Sequence, residues 1–272
     1  MDLQTNYTNS KIIQKQTEFI VPTWVLDDVG YFYPLIYDKI LSESKDSVIF
    51  PINFYDAFTQ LRKQIYWLCN WYDELVEANI PVIEAEISCI HNDPQMMDQI
   101  LKQKLTEDKI FIRFCNASPK DIIDPFFNST SDVVSIFKSS NRTNYMFDNA
   151  YHHLHETHLV LRPIVKMDYE VRCIWHNRKL RAVSCPTFID TLTQLDITNV
   201  IDVFFQTHGE NIIFNSVVID LGITDMNAFI IELNSFGSDM LAKIAYFDWE
   251  EDFNVLYNAS TVIYRFKKEF EW

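Results

Sequence analysis

The sequence predicts an α+β fold, in which a largely helical N-terminal third precedes a strand-rich remainder. Apolar residues between Phe54 and Leu75 recur every three or four positions, which is the spacing of an amphipathic helix. After residue 150, short segments rich in Val, Ile and aromatic residues follow one another closely, as strands do. The 272 residues, 48% of them hydrophobic and 22% charged, are enough for a sizeable core and exclude a disordered class.

The helical pattern extends over several stretches of the chain. The longest predicted helix covers residues 54–79, and its stripe of aromatic residues is best explained by core packing. Further helices are predicted at 31–41, at 93–108, within 129–150 and at 190–208.

Strands are predicted where apolar residues alternate with polar ones or form short runs. The dipeptide Asn177-Arg178 lies between two of these segments and predicts a hairpin turn. The predicted strands are 81–90, 109–116, 158–165, 169–177, 179–187, 216–223 and 228–236.

The composition excludes several classes of protein. The chain has only four glycines, which do not cluster, so it carries neither a Rossmann fingerprint nor a P-loop. Its net charge of −15 argues against non-specific nucleic-acid binding. No apolar run reaches the roughly 18 residues that a membrane-spanning helix needs.

The five cysteines indicate a reducing compartment. They are odd in number, widely spaced and free of any C-x-x-C pair. The N-terminal residues are polar and do not form a signal peptide. We therefore expect a cytoplasmic protein with no membrane partner, and for a viral protein or a bacterial effector this would be the host cytoplasm.

Three oxygen-bearing side chains near the C-terminal end form a candidate metal site. Asp220 closes one predicted strand, and Glu232 and Asn234 lie two apart on the next, hence on the same face. If the two strands are antiparallel neighbours, the three side chains converge, and such hard oxygen ligands suit Mg²⁺. The alternative is an ordinary solvent-facing alternation on an edge strand.

Four cations form a candidate anion site. Arg113, Arg162 and Arg172 interrupt apolar strands, and Lys120 lies in a turn just after one. A cation inside a strand is costly unless an anion compensates it, and the phosphates of a nucleotide would do so. Salt bridges to some of the 38 acidic residues are the alternative for any one of them.

The histidine cluster of residues 152–158 is a weak metal candidate. Its spacing is not that of H-E-x-x-H, and no cysteine lies at zinc-finger spacing. We therefore expect no structural zinc site in this stretch.

Several blocks of the sequence, in this order, resemble the cell-division-cycle protein 123 family, a branch of the ATP-grasp fold. They include IFIRFCNASPKDIID, which resembles the family's basic strand and its Ser-Pro-Lys-Asp turn. LVLRPIVKMDYEVRCIWHNRKLRAVS resembles its hinge, its arginine-bearing strand and the following hairpin. SVVIDLGI, FIIELNSFGSDML and FDWEED resemble the metal-binding strands and the closing Trp-Glu-Glu. The blocks span roughly residues 108–252, just over half the chain.

The resemblance implies two β-rich subdomains that grip Mg-ATP, after a largely helical N-terminal region. It places the N-terminal region at 1–105, the small ATP-grasp subdomain at 106–165 and the large subdomain, with the metal site, at 166–272. It also implies a protein that binds the gamma subunit of translation initiation factor 2 and promotes assembly of that factor.

The resemblance assigns the candidate residues to roles. Arg113 stands where the family usually has Lys, and Lys120 matches the lysine of Ser-Pro-Lys-Asp. Arg162 lies at the hinge on the adenine side. Arg172 matches an arginine aimed at the phosphates and is the candidate catalytic residue. The metal ligands would be Asp220, Glu232 and Asn234, with Glu232 in place of the usual Asp and Ser235 in place of a following Pro.

Two alternatives remain open at this stage. The chain could be an active carboxylate–amine ligase that works through an acyl-phosphate, or a binding module that has kept the fold and lost turnover. Arg172 suits either role, because an acyl-phosphate transition state also needs an arginine. The sequence does not decide whether the protein is an enzyme.

The metal site leads to one expectation about stability. Because Asp220 and Glu232 are like charges, we expect that removal of the Asp220 charge leaves the metal-free protein as stable as before, or slightly more stable.

Overall fold

The computed structural model divides the chain into two compact units. The larger unit comprises Met1–Val82 and Met167–Trp272, and the smaller unit is Ile83–Lys166. The domain boundaries expected from the resemblance remain a prediction. The structure describes residues 13–14, 18–20, 28, 49–51, 64–91, 93–105, 110–122, 126–127, 133–147, 157–225, 227–237 and 244–267.

A five-stranded sheet is the centre of the larger unit. Its strand order is β11-β10-β8-β9-β12, antiparallel except for the last pair, in which β12 runs parallel to β9. The strands are β8 (Tyr169–His176), β9 (Leu180–Phe188), β10 (Ser216–Thr224), β11 (Asn227–Asn234) and β12 (Ile263–Lys267).

The turn between β8 and β9 is the one that the sequence predicts. Asn177 and Arg178 have φ values of 52° and 54°. Two consecutive left-handed residues are typical of the two-residue turn whose twist matches that of the flanking strands, and asparagine tolerates this conformation well. The pair therefore fixes the hairpin that carries Arg172.

One long helix, α4 (Thr191–His208), packs against one face of this sheet. It begins at Asp190, whose carboxylate accepts hydrogen bonds from the backbone N–H groups of Leu192 and Thr193. Phe205 of α4 stacks on Trp175 of β8, with ring centroids 5.3 Å apart. The helix that the sequence predicts at 190–208 is thereby confirmed.

The opposite face of the sheet is covered in part by residues 244–258, which end in a π-helix at Asn254–Asn258. Phe236 and Tyr257 pack around His176 of β8, with ring centroids 4.8 and 5.0 Å from the imidazole. The sequence analysis predicts no element over this segment and does not predict β12.

The smaller unit contains a four-stranded sheet of order β4-β7-β5-β6. Helices α2 (Pro94–Lys104) and α3 (Val133–Ser139) pack on one of its faces, where Phe114, Phe137 and Leu101 are fully buried. The strands are β4 (Glu86–Cys89), β5 (Ile110–Phe114), β6 (Phe126–Phe127) and β7 (His158–Pro163).

The helix predicted over 54–79 is interrupted at residues 65–67, which form a turn, and its residues 54–63 lie outside the described residues. Among the described residues, α1 covers Leu68–Glu77, and the preceding Trp67 is extended. Tertiary contacts explain the start at Leu68, because Tyr66 stacks on Phe214 and donates a hydrogen bond to the Ser216 carbonyl at 3.0 Å. Packing of this aromatic side chain outweighs the helical periodicity of the sequence.

The N-terminal region also contains strands that the sequence analysis does not predict. They are β1 (Ile13–Gln14), β2 (Glu18–Ile20) and β3 (Ile49–Pro51), which form an antiparallel sheet. The helix predicted at 31–41 lies outside the described residues.

The cysteines and the helices agree with the expectations from composition. Cys115, Cys173 and Cys185 are buried, Cys69 and Cys89 are partly buried, and all five are free thiols. Among the described residues, no helix combines the length and the apolarity needed to cross a membrane.

The environment of His176 makes stability depend on pH. The imidazole is 4% exposed and lies 2.8 Å from the Ser216 hydroxyl through Nδ1. Burial, together with the nearby charge of Arg181, lowers the pKa of His176 from 6.5 to about 3. Between these two values the unfolded chain binds a proton that the folded protein does not, so stability falls as the pH falls.

We predict that the free energy of unfolding drops by up to about 1.4 kcal/mol for each pH unit below about 6.5 because of this one residue. His176→Gln should flatten the dependence between pH 7 and pH 5, measured by urea unfolding. His208→Gln is the control, because burial lowers the pKa of the partly exposed His208 far less. An unchanged slope in His176→Gln would contradict the prediction.

Candidate functional site

The candidate residues of the larger unit lie in one row across the five-stranded sheet. Arg172 on β8 pairs with Asp220 on β10, which pairs with Glu232 on β11. Directly paired residues of neighbouring strands project from the same face. The row continues on the other side of Arg172 through Ser184 on β9 to Arg265 on β12. Polar residues thus extend over all five strands on the face opposite α4.

A β-bulge places Glu232 in this row. Asp220 pairs with Glu232, whereas the next residue, Leu221, pairs with Ile230, so Ile231 is an extra residue on β11. In a regular ladder Ile231 would face Asp220 and Glu232 would project from the opposite face. Burial along β11 agrees with the bulge, because Ile230 and Leu233 are both buried although they lie three residues apart, and residues on one face of a regular strand lie two apart.

Arg172 and Asp220 form a bidentate ion pair. Nε of Arg172 donates to Oδ1 of Asp220 and Nη2 donates to Oδ2, both at 2.7 Å. Asn234 donates a third hydrogen bond from Nδ2 to Oδ2 at 3.0 Å. The side chain of Asp220 is 4% exposed and that of Arg172 is 27% exposed, so the pair is well shielded from water.

The two partners shift each other's pKa. Burial alone would lower the pKa of Arg172, but the hydrogen bonds and negative charge of Asp220 outweigh it, and the pKa is raised. Burial raises the pKa of Asp220, and the Arg172 guanidinium acts against that rise. Glu232 adds negative charge that raises both pKa values, which shows that the three groups interact electrostatically.

The donor set of this row fits a magnesium ion. Asp220, Glu232 and Asn234 offer two carboxylates and one amide oxygen, which are the hard ligands that Mg²⁺ prefers. Asn234 at the end of β11 already reaches the Asp220 carboxylate. The expected convergence of Asp220 and Asn234 is therefore present, with Glu232 in the paired position.

The expectation that removal of the Asp220 charge leaves stability unchanged or slightly higher considers only the repulsion between Asp220 and Glu232. The nearest charge to Asp220 is the guanidinium of Arg172, which both carboxylate oxygens contact. The roles predicted from the sequence separate Arg172, among the phosphate-binding cations, from Asp220, among the metal ligands, and the structure brings the two together on neighbouring strands.

Two candidate cations of the smaller unit share one face of its sheet. Arg162 on β7 pairs with Phe111 on β5, and Arg113 lies two residues further along β5. This is the face opposite the one that α2 and α3 cover, because Ile112 and Leu161 project toward those helices. Arg113 and Arg162 are 5% and 3% exposed. Two buried guanidinium groups on one face concentrate positive charge there.

Arg162 also lines a cavity of about 360 Å³. Apolar walls are supplied by Ile110, Leu161 and Pro163, and charged groups by Glu84, Glu86 and Lys104. Lys104 and Glu86 form an ion pair at 2.9 Å, so part of this charge is balanced internally. Glu86, Ile110 and Leu161 project from the sheet face opposite to the side chains of Arg113 and Arg162, so this cavity is not part of the cationic face.

Lys120 is exposed in the turn that follows β5, and its neighbour Asp121 anchors that turn. Asp121 accepts hydrogen bonds from the Ser140 hydroxyl at 2.5 Å and from the Asn141 backbone N–H at 2.8 Å. The hydrogen bond from Ser140 is the main reason why the pKa of Asp121 is lowered. The turn is thereby tied to the end of α3, which fixes the backbone that carries Lys120.

Sequence reasoning assigned no role to Ser184, Arg265 or Asp121. Arg265 forms a bidentate pair with Asp252 at 2.6 and 2.7 Å and covers the Phe247 ring at 4.2 Å. The only available signal was that Asp121 and Asp252 belong to the blocks SPKD and FDWEED. The histidines at 152, 153 and 155 lie outside the described residues.

The ion pair leads to a prediction about stability without metal. We predict that Asp220→Asn lowers the free energy of unfolding by about 2 kcal/mol, because it leaves a shielded guanidinium without its counter-charge. The measurement is urea unfolding in EDTA. Asp252→Asn is the matched control, because the Arg265–Asp252 pair is also bidentate but is more exposed, and its loss should cost less. Equal stability of Asp220→Asn and the unchanged protein would contradict the prediction.

Comparison with known proteins identifies relatives in sequence and in structure. No protein-family model matches the chain. A putative CDC123-like protein of Acanthamoeba polyphaga mimivirus is 24% identical, over 74% of this chain and 74% of that protein. Cell-division-cycle protein 123 from Schizosaccharomyces pombe superposes with a TM-score of 0.60 at 14% identity, over 76% of this chain and 97% of that one.

A C-terminally truncated form of the Schizosaccharomyces pombe protein superposes with a TM-score of 0.58 at 16% identity, over 74% of this chain and 94% of that one. The resemblance of this chain to the cell-division-cycle protein 123 family is therefore confirmed in sequence and in fold, and its structure is α+β.

Proposed function

We propose that this protein binds ATP together with Mg²⁺. The observation that carries the proposal is the row Arg172–Asp220–Glu232 with Asn234 beside it, on one face of a sheet in a fold of the ATP-grasp type. Asp220, Glu232 and Asn234 would hold the metal ion, which would neutralise phosphate charge. Arg172, with its planar guanidinium, would take phosphate oxygens in two parallel hydrogen bonds.

The cations of the smaller unit support a nucleotide ligand. Arg113 and Arg162 share a sheet face, and Lys120 is exposed in an anchored turn. In a chain of net charge −15, this grouping of cations favours a highly anionic ligand. We assign phosphate contacts to Arg113 and Lys120 and the adenine side to Arg162, by resemblance to the family.

The biological role that fits the relatives best is assembly of a translation factor. By the same resemblance, we propose that the protein binds the gamma subunit of translation initiation factor 2 in the cytoplasm and promotes assembly of that factor. Arg172 would be its catalytic residue if ATP is turned over. ATP-dependent carboxylate–amine ligation is the alternative from the sequence, and no feature of the described residues favours it over the assembly role.

We predict that Mg-ATP raises the melting temperature of the unchanged protein by several degrees, because a ligand at one hundred times its Kd stabilises the fold by about 2.7 kcal/mol. Glu232→Gln should lose most of this shift, since it removes a hard anionic ligand and leaves the Arg172–Asp220 pair in place. Lys120→Ala should reduce the shift as well.

Differential scanning fluorimetry with ATP, with Mg²⁺ and with both measures the effect. Lys138→Ala, an exposed cation on α3, is the control and should behave as the unchanged protein. No shift at millimolar Mg-ATP would refute nucleotide binding. An unchanged shift in Glu232→Gln would show that the metal site is placed wrongly.

We further predict that the protein binds the purified gamma subunit directly, at micromolar concentration or below, in biolayer interferometry. The alpha and beta subunits alone are the controls and should bind more weakly. Absence of binding to the gamma subunit would contradict the assembly role. Release of ADP that depends on an added amine and carboxylate would instead support the ligase alternative.

A further inference from the structure

The carboxylate of Asp220 accepts three hydrogen bonds from other side chains of the protein. Arg172 contacts both of its oxygens, and Asn234 contacts Oδ2 as well. An ionised carboxylate has about four lone-pair positions, and these three donors occupy three of them. The remaining position is on Oδ1, beside the Nε–H of Arg172. A divalent cation placed there would face the charge of the guanidinium at close range.

We infer that Arg172 couples metal binding to nucleotide binding at this site. The guanidinium competes with a metal cation for Asp220, and an ATP phosphate draws the guanidinium away, which opens Asp220 to the metal. This inference rests on the proposed function, and it adds an order of events: metal alone binds weakly, and metal with nucleotide binds well.

Competition follows from the charges in the row. The guanidinium is permanently charged. Mg²⁺ and the guanidinium cannot both approach one shielded carboxylate without strong repulsion, because few water molecules screen a group that is 4% exposed. The metal therefore gains Asp220 only when Arg172 gives it up.

Arg172 can exchange the Asp220 carboxylate for a phosphate without loss of hydrogen bonds. A phosphate offers the same two parallel acceptor oxygens as a carboxylate, so the bidentate contact is exchanged and not lost. The side chain of Arg172 is 27% exposed, which gives it a path toward a ligand at the sheet face. With ATP present, Arg172 pairs with a phosphate and the metal ion pairs with Asp220. The metal ion and the nucleotide therefore favour each other's binding.

The chain contains a matched pair for comparison. Arg265, in the same polar row, also binds a carboxylate through two hydrogen bonds: its Nη1 and Nη2 donate to Asp252 at 2.7 and 2.6 Å, whereas Arg172 uses Nε and Nη2. Asp252 is not a candidate metal ligand. Removal of the Arg265 charge should therefore leave the metal affinity unchanged, whereas removal of the Arg172 charge should raise it.

The test measures binding of Mn²⁺, as a spectroscopic substitute for Mg²⁺, by electron paramagnetic resonance. It uses the full-length protein and the variants Arg172→Gln, Arg172→Lys and Arg265→Gln. Without nucleotide, Arg172→Gln should bind Mn²⁺ at least fivefold more tightly than the unchanged protein, within the 5–150-fold range typical of coupled sites. The same variant should bind Mg-ATP more weakly in calorimetry. Arg172→Lys, which keeps the charge but cannot contact both oxygens, should lie between.

Arg172→Gln should bind Mn²⁺ more tightly and Mg-ATP more weakly, and these opposite effects distinguish coupling from damage to the fold. A variant that is merely misfolded loses affinity for both Mn²⁺ and Mg-ATP. If Arg172→Gln misfolds in this way, Arg172→Lys with a native circular dichroism spectrum decides. No gain of Mn²⁺ affinity in that variant would overturn the inference. Unchanged Mn²⁺ affinity in Arg172→Gln, with Mg-ATP binding intact in the unchanged protein, would overturn the coupling alone. Failure of the unchanged protein to bind Mg-ATP would overturn the proposed function and the coupling together.

Discussion

The register of β10 with its two neighbours is the constraint on which the candidate site depends. On one side it sets Asp220 opposite Arg172, and on the other the bulge at Ile231 sets it opposite Glu232. A slip of one residue on either side would turn a charged group into the face that α4 covers, where its burial would cost several kcal/mol. The hydrophobic core thus enforces the arrangement of the polar row.

The row shows how the protein accommodates charge next to a core. Asp220 is almost fully buried, yet every oxygen has a donor, and Arg172 is compensated by a carboxylate that is itself hydrogen-bonded to Asn234. A buried ion pair of this kind is weak evidence for a stabilising role, because apolar residues of similar volume often stabilise as much.

Much of this architecture could be predicted from local sequence. The Asn177-Arg178 turn and helix α4 follow from residue preferences and from periodicity, and Glu232 and Asn234 share a face as their spacing requires. The contact of Arg172 with Asp220 does not follow from local sequence, because it joins residues 48 positions apart on strands whose adjacency depends on the strand order. The only sequence signal for the bulge is the pair of adjacent isoleucines Ile230 and Ile231, and such a pair also occurs in a regular strand that is buried on both faces. The start of α1 was missed because the packing of Tyr66 on Phe214 overrides a helical pattern.

The division of the chain into units has a consequence for how the protein is made. Ile83–Lys166 is one uninterrupted stretch, so all contacts within the smaller unit can form as soon as its last residue has left the ribosome. The sheet of the larger unit must wait for β12, which pairs with β9 across about 80 residues of later-synthesised chain. Until then the edge of β9 is exposed to other nascent chains, and such a long-range parallel pairing forms slowly. Translation therefore completes the smaller unit first, and β12, which is synthesised later, closes the sheet that carries the polar row.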